Sequence, residues 1–159
     1  LKVDAYLPSD YVHDERQRME MYKRISSLRT DIDREDIEEE MIDRYGDLPT
    51  PVETLLDIAQ MRALAQRLGV SQVLYRPKGQ LMMRLDQRYM PDLQLMMQAM
   101  VDTDSRLSIT PSQPVSMVLK DPTHLESGML TEGLKVLKQL VAHLDQLLAA
   151  QTLETKQKA

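Results

Sequence analysis

The hydrophobic period of this chain changes at Gly69. Before it, apolar residues recur at three- and four-residue spacings. After it, they alternate over short runs cut by Pro and Gly. A chain divided in this way closes neither as an all-helical bundle nor as a sandwich of strands. The order of elements predicts an α+β fold, with a helical N-terminal half, a β-rich middle and a long C-terminal helix. With 159 residues, one domain (1–150) is expected, made of a helical lobe about 1–69, a mixed α/β lobe about 70–150 and a polar tail 151–159.

Local signals place the elements. Leu1 to Pro8 alternates loosely and reads as a short strand or extended arm. Met21, Ile25 and Leu28 stripe a helix near 14–29. A second helix runs from the turn at Thr30–Asp33 to Tyr45, with Ile37, Met41, Ile42 and Tyr45 as its apolar side. Gly46 suits a left-handed helix end and Pro49 stops continuation. Thr50-Pro51-Val52-Glu53 reads as an N-cap, a proline at the first helical position and a capping-box glutamate. The third helix then buries Val52, Leu55, Leu56, Ala59, Ala63 and Leu68, and Gly69 ends it with Val70 as a hydrophobic contact.

Gln72–Arg76 and Gln80–Leu85 predict a hairpin around Pro77-Lys78-Gly79. Pro91 starts a short Met-rich helix (Leu93, Met96, Met97, Met100), whose Met cluster 96–100 is expected in the core rather than in a binding groove. Leu107–Thr110 and Val115–Lys120 are strands, and the last helix covers about 129–150. Leu130, Leu134, Leu137, Val141, Leu144 and Leu148 alternate four and three apart, which permits a coiled-coil dimer. Leu140 and Leu147 widen that stripe and favour a core helix of the same domain.

Composition excludes several classes. There is no Cys, Phe or Trp, and there are 12 Met. A disulfide framework, a thiolate zinc site and a cysteine nucleophile are therefore out of reach. His13, His124 and His143 are too far apart for a helical metal pair and are expected at the surface or its boundary. The five Gly stand singly, outside any phosphate-loop pattern, and there is no GxSxG. No catalytic, cofactor-binding or metal-binding residue stands out. No apolar run is long enough to span a bilayer. No signal peptide is read, and Leu1 suggests a piece of a longer protein.

Charge is the strongest signal that remains. Residues 1–68 carry 16 acids and 10 bases, whereas 69–159 carry 9 and 10. Eight of those acids lie between Asp31 and Asp43 (Asp31, Asp33, Glu35, Asp36, Glu38, Glu39, Glu40, Asp43), with Arg34 as the sole base. On a helix Asp36, Glu39, Glu40 and Asp43 share one face. The helix dipole supports the first acids, but Glu40 and Asp43 lie beyond its reach. Like charges at these spacings repel. The face is either solvated surface or a docking face for Arg and Lys of a partner. A calcium loop is disfavoured because its D-x-D-x-D-G order is absent.

The strings Val-Asp-Ala-Tyr-Leu-Pro-Ser-Asp-Tyr-Val (3–12), Asp-Glu-Arg-Gln-Arg-Met-Glu-Met-Tyr-Lys-Arg-Ile (14–25), Glu-Glu-Met-Ile-Asp-Arg-Tyr-Gly-Asp-Leu-Pro (39–49) and residues 55–70 resemble the C-terminal domain of the bacterial transcription-repair coupling factor (Mfd) family. The resemblance spans 3–70 without gaps. Residues 71–159 follow the family only in the order of elements, and His13 stands where the family often has Pro. The resemblance implies a parent ATP-driven translocase on double-stranded DNA, cytoplasmic and bacterial, that displaces stalled RNA polymerase and recruits UvrA. ATP and Mg belong to its motor, which is not in this chain. It further implies an autoinhibitory domain, itself no enzyme, that docks on the N-terminal UvrB-like module, masks the UvrA-binding surface and restrains the motor. The family's contact uses acids of the segment ending Ile-Asp-Arg, matching Glu40 and Asp43, with Glu39, Asp36 and Arg44 beside them.

Two other readings compete. Arg76, Lys78, Arg84 and Arg88 bracket the hairpin and would serve a nucleic-acid-contacting accessory domain, although a half with so little net charge is a weak phosphate binder. A homodimer through the last helix is the other. A monomer without direct nucleic-acid or membrane contact is expected.

Overall fold

The computed structural model describes residues 4–111, 113–121, 123 and 126–158, without the side chains of 126 and 127. His124 and residues 1–3 of the expected N-terminal strand lie outside the described residues. The elements run α1 (Glu15–Ser26), α2 (Asp31–Tyr45), α3 (Thr50–Arg67), β1 (Val70–Arg76), β2 (Gln80–Leu85), α4 (Leu93–Thr103), β3 (Leu107–Thr110), β4 (Ser116–Lys120) and α5 (Glu126–Lys158). The chain forms two compact units, Lys2–Ala63 and Leu64–Ala159, divided within α3.

In the first unit, residues 4–8 form no strand. They lie as an arm. Tyr6 N–H donates to the Pro51 carbonyl at 3.3 Å, Leu7 N–H donates to the Tyr22 hydroxyl at 2.8 Å, and the Leu7 side chain is buried. The core joins Leu7 to Met21, Ile25 and Leu28 of α1 and its end, Ile37 and Met41 of α2, and Val52, Leu56, Ala59 and Ala63 of α3. Ile42 departs from the expected stripe and is 47% exposed. It sits one residue past Met41, about 100° around the helix, and it is Met41 that joins the core.

Three helix ends show how sequence sets geometry. Thr30 caps α2 through a capping box closed by Asp33. The box expected at Thr50 is displaced: the Pro49 carbonyl accepts Glu53 N–H at 3.1 Å, so Pro49 takes the cap position and Thr50 is the first helical residue. Gly46 has φ 91° and ψ −168°. That is a glycine-only extended conformation, not the left-handed helical one expected.

The second unit holds a four-stranded antiparallel sheet in the order β1-β2-β4-β3. Lys78 and Gly79 take positive φ in the β1–β2 turn. In-register pairs Leu81–Leu119 and Met83–Met117 put these four buried side chains on one face of the sheet. Met96, Ala99 and Met100 of α4 and Met129, Leu130, Leu137 and Leu140 of α5 are among the other buried side chains of this unit. Thioethers thus fill the volume that aromatic rings would occupy elsewhere. Met97, expected in this core, is exposed, as is Leu93, because α4 turns Met96, Ala99 and Met100 inward.

The seam of α5 is buried from Leu130 to Leu144, within the unit that supplies it. Leu148 is exposed and Leu147 half-buried. The helix continues through Lys158 with every residue from 148 onward exposed, so the polar tail is helical and not an irregular end.

Candidate functional site

The acidic helix α2 divides its carboxylates between internal work and an open face. Asp33 accepts the backbone N–H groups of Arg29 and Thr30, both at 2.9 Å, and those bonds hold its carboxyl below the ordinary value. Arg34 turns inward, donating to Glu38 Oε1 at 2.6 Å, Asp57 Oδ1 at 2.7 Å and Gln60 Oε1 at 2.7 Å. Gln60 is buried and also donates to Asp31. These contacts fasten α2 to α3.

Four of the remaining acids, Asp36, Glu39, Glu40 and Asp43, line a shallow groove beside α1 with Arg24 of that helix, while Glu35 is exposed outside it. The shared face expected from spacing is therefore formed. Glu40 is engaged within the chain: it pairs with Arg24 and accepts from Arg44 Nη1 at 2.9 Å. The Arg44 guanidinium also lies 5.0 Å from the centre of the Tyr45 ring. Tyr45 is half-buried, meets Tyr11 edge-on at 5.7 Å and donates to Gln17 at 3.1 Å. Asp36, Glu39 and Asp43 are exposed and make no intramolecular hydrogen bond or ion pair among the described residues. Their charge faces solvent.

Arg24 was not legible as part of this groove. Its place depends on α1 packing beside α2, which no spacing in the sequence states. The Glu40 pairs are solvent-accessible, and pairs of that kind are worth about 0–1 kcal/mol. An incoming guanidinium can replace them at small cost.

The basic residues around the hairpin do not converge. Arg76 and Lys78 lie at the turn and are exposed. Arg84 sits four residues along β2 from Gln80, about 13 Å away, and donates to Gln72 at 2.9 Å. Arg88 is held by Asp86 at 2.8 Å and 3.1 Å, an interaction that lowers the Asp86 carboxyl to about 2. His13 is exposed, and His143 Nδ1 lies 2.7 Å from the Thr103 hydroxyl. No described helix is long and apolar enough to cross a membrane.

Comparison with known proteins follows the same division of the chain. The TRCF domain family matches residues 1–96. The transcription-repair-coupling factor of Escherichia coli K12 is 44% identical over 79 residues, covering 50% of this chain and 7% of that protein. The Staphylococcus aureus USA300 protein of the same name is 31% identical over 120 residues, covering 76% of this chain and 9% of its own. The matched stretches thus cover less than a tenth of the length of those relatives. A crystal structure of the C-terminal domain of transcription-repair coupling factor superposes with a TM-score of 0.76 at 25% identity, covering 92% of each chain. On the family match, the relatives and the shared fold together, the chain belongs to the TRCF domain family, the C-terminal domain of transcription-repair coupling factors.

Proposed function

We propose that this domain is a non-catalytic, autoinhibitory interaction module. It docks through the α2 face onto a basic surface of the N-terminal UvrB-like module of its parent translocase, masking the UvrA-binding surface and restraining the motor. The parent would be a bacterial cytoplasmic protein that uses ATP and Mg to displace stalled RNA polymerase. The domain itself would bind no cofactor and act as a monomer.

The observation that carries this reading is the division of charge on α2. Asp33 caps the helix and Asp31 and Glu38 help fasten it to α3, whereas Asp36, Glu39 and Asp43 make no intramolecular pair among the described residues and converge on the groove that also holds Glu40; Glu35 is exposed away from it. Free like charges at these spacings destabilise a helix, and a guanidinium-bearing partner would relieve them. Arg44, held by Glu40 and Tyr45, shapes the edge of that face.

Calorimetric titration into the isolated UvrB-like module, at low and moderate salt, tests the reading. Binding should weaken with salt. Glu40→Ala with Asp43→Ala should weaken it about tenfold or more while leaving the unfolding midpoint nearly unchanged. A folded double variant with wild-type affinity would sink the assignment. The hairpin alternative has less support, because its bases lie at separate ends of β2 and Arg88 is already paired. A gel shift at low salt would revive it.

A further inference from the structure

We propose a second docking surface on α4, fitted to a basic amphipathic helix of a partner protein. Leu93, Met97 and Val101 are 42%, 50% and 78% exposed. They recur every four residues and so line one side of the helix over about 12 Å. Tyr89, 70% exposed, precedes them in the chain. The adjoining side of α4 already supplies Met96, Ala99 and Met100 to the core, so the outward stripe is not needed to hold the helix in place. A helix that shows three large apolar side chains in line to solvent is uncommon in a monomeric surface and marks an interaction site. Beside Leu93 lies an open hollow of about 320 Å³ lined by Gln87, Met90, Pro91, Asp92 and Val115. It can receive an anchoring side chain, the arrangement that concentrates binding energy in small interfaces.

Charge identifies the occupant. No Lys or Arg lies between Arg88 and Arg106, and both of those are engaged by aspartates, Arg88 by Asp86 and Arg106 by Asp104. Among the described residues, the acids at the two ends of the stripe have no cation: Asp92 accepts Leu95 N–H at 3.2 Å, and Asp102 accepts from the Gln98 amide at 3.2 Å. The surface is therefore apolar in the middle and negative at both ends. A second copy of α4 would bring acid against acid in either orientation, and an anionic lipid surface would be repelled. A helix with apolar residues at three- and four-residue spacing and Lys or Arg flanking them matches both features.

The test uses a fluorescent Leu/Lys amphipathic peptide of about 14 residues, titrated by anisotropy against the whole chain. The same composition in scrambled order is the control. The helical peptide should bind below about 100 μM. Met97→Ser with Val101→Ser should weaken it about tenfold, whereas Asp36→Asn with Asp43→Asn should change it less than about twofold. Circular dichroism and urea melts report whether each variant folds. Should the pair disturb folding, Val101→Asn at the most exposed position carries the same test. The proposal is overturned by no binding at that concentration, by equal binding of the scrambled peptide, or by a loss that follows Asp36 and Asp43. It is equally overturned by sedimentation in which the wild type dimerises and the Met97/Val101 variant does not, since a second copy would then be the occupant.

Discussion

Two glycines with positive φ separate backbone strain from crowding. At Gly69 φ is 71°, and an added Cβ would lie 2.4 Å from Met90 N and 2.5 Å from Met90 Cα. Those are backbone atoms and cannot swing away. At Gly46 φ is 91° with nothing within 4 Å of an added Cβ. Gly46→Ala should therefore cost about 1–2 kcal/mol, the strain alone. Gly69→Ala should cost about 2–4 kcal/mol, since overpacking adds to strain. Urea unfolding of the two variants checks the order, and equal losses would refute it. Both glycines were legible as helix ends. The contact of Gly69 with Met90 was not, because it joins a helix end to a loop 21 residues on. The same limit explains Met97. Spacing placed it with Met96 and Met100, but which side of α4 meets α5 is decided by packing partners outside the helix.

Among the elements, α2 shows most plainly what sequence patterns carry. Its end at Tyr45 and the common face of Asp36, Glu39, Glu40 and Asp43 followed from spacing, whereas Asp31–Asp33, read as part of a turn, form its first helical residues. The inward turn of Arg34 did not, since its partners Asp57 and Gln60 come from α3. Arg34→Ala would remove the donor to the side-chain oxygen of the buried Gln60 and should cost about 1–3 kcal/mol in a thermal or urea melt. Lengths failed where the apolar stripe stops: α5 was expected to end near 150, yet polar good helix formers carry it through Lys158. In the second unit Arg106 ties the start of β3 to the end of β4 and to α5, reaching Asp104 and Glu132 at 2.7 Å and also Asp121. Its hydrogen bonds to Asp104 hold that carboxyl below its ordinary 3.8. The resulting stabilisation is full above the unfolded value and is lost as pH falls through the lower folded one. Asp104→Asn should destabilise by about 1 kcal/mol at neutral pH. The difference from wild type should begin to shrink as the medium is acidified below 3.8 and vanish below the lower folded value, which urea midpoints over a pH series would show.

At the scale of the whole molecule, family membership was legible from residues 3–70, where fixed strings accumulate, and the family match does run through the first 96 residues. The second half was legible only as an order of elements. Antiparallel pairing preserves alternation and burial more than identity, so few side chains there are fixed by chemistry. The two proposed surfaces should differ in their response to salt: docking by α2 should weaken steeply, and peptide binding by α4 should weaken less because its centre is apolar. The thioether-rich core has a chemical consequence of its own. Met83, Met96, Met117 and Met129 are fully enclosed, so peroxide reaches them only when the unit opens. Sulfoxide formed during such an opening is polar and chiral and no longer fits the space it left. Each oxidised opening then becomes a one-way loss, and the lifetime of the folded unit in an oxidant measures how often it breathes.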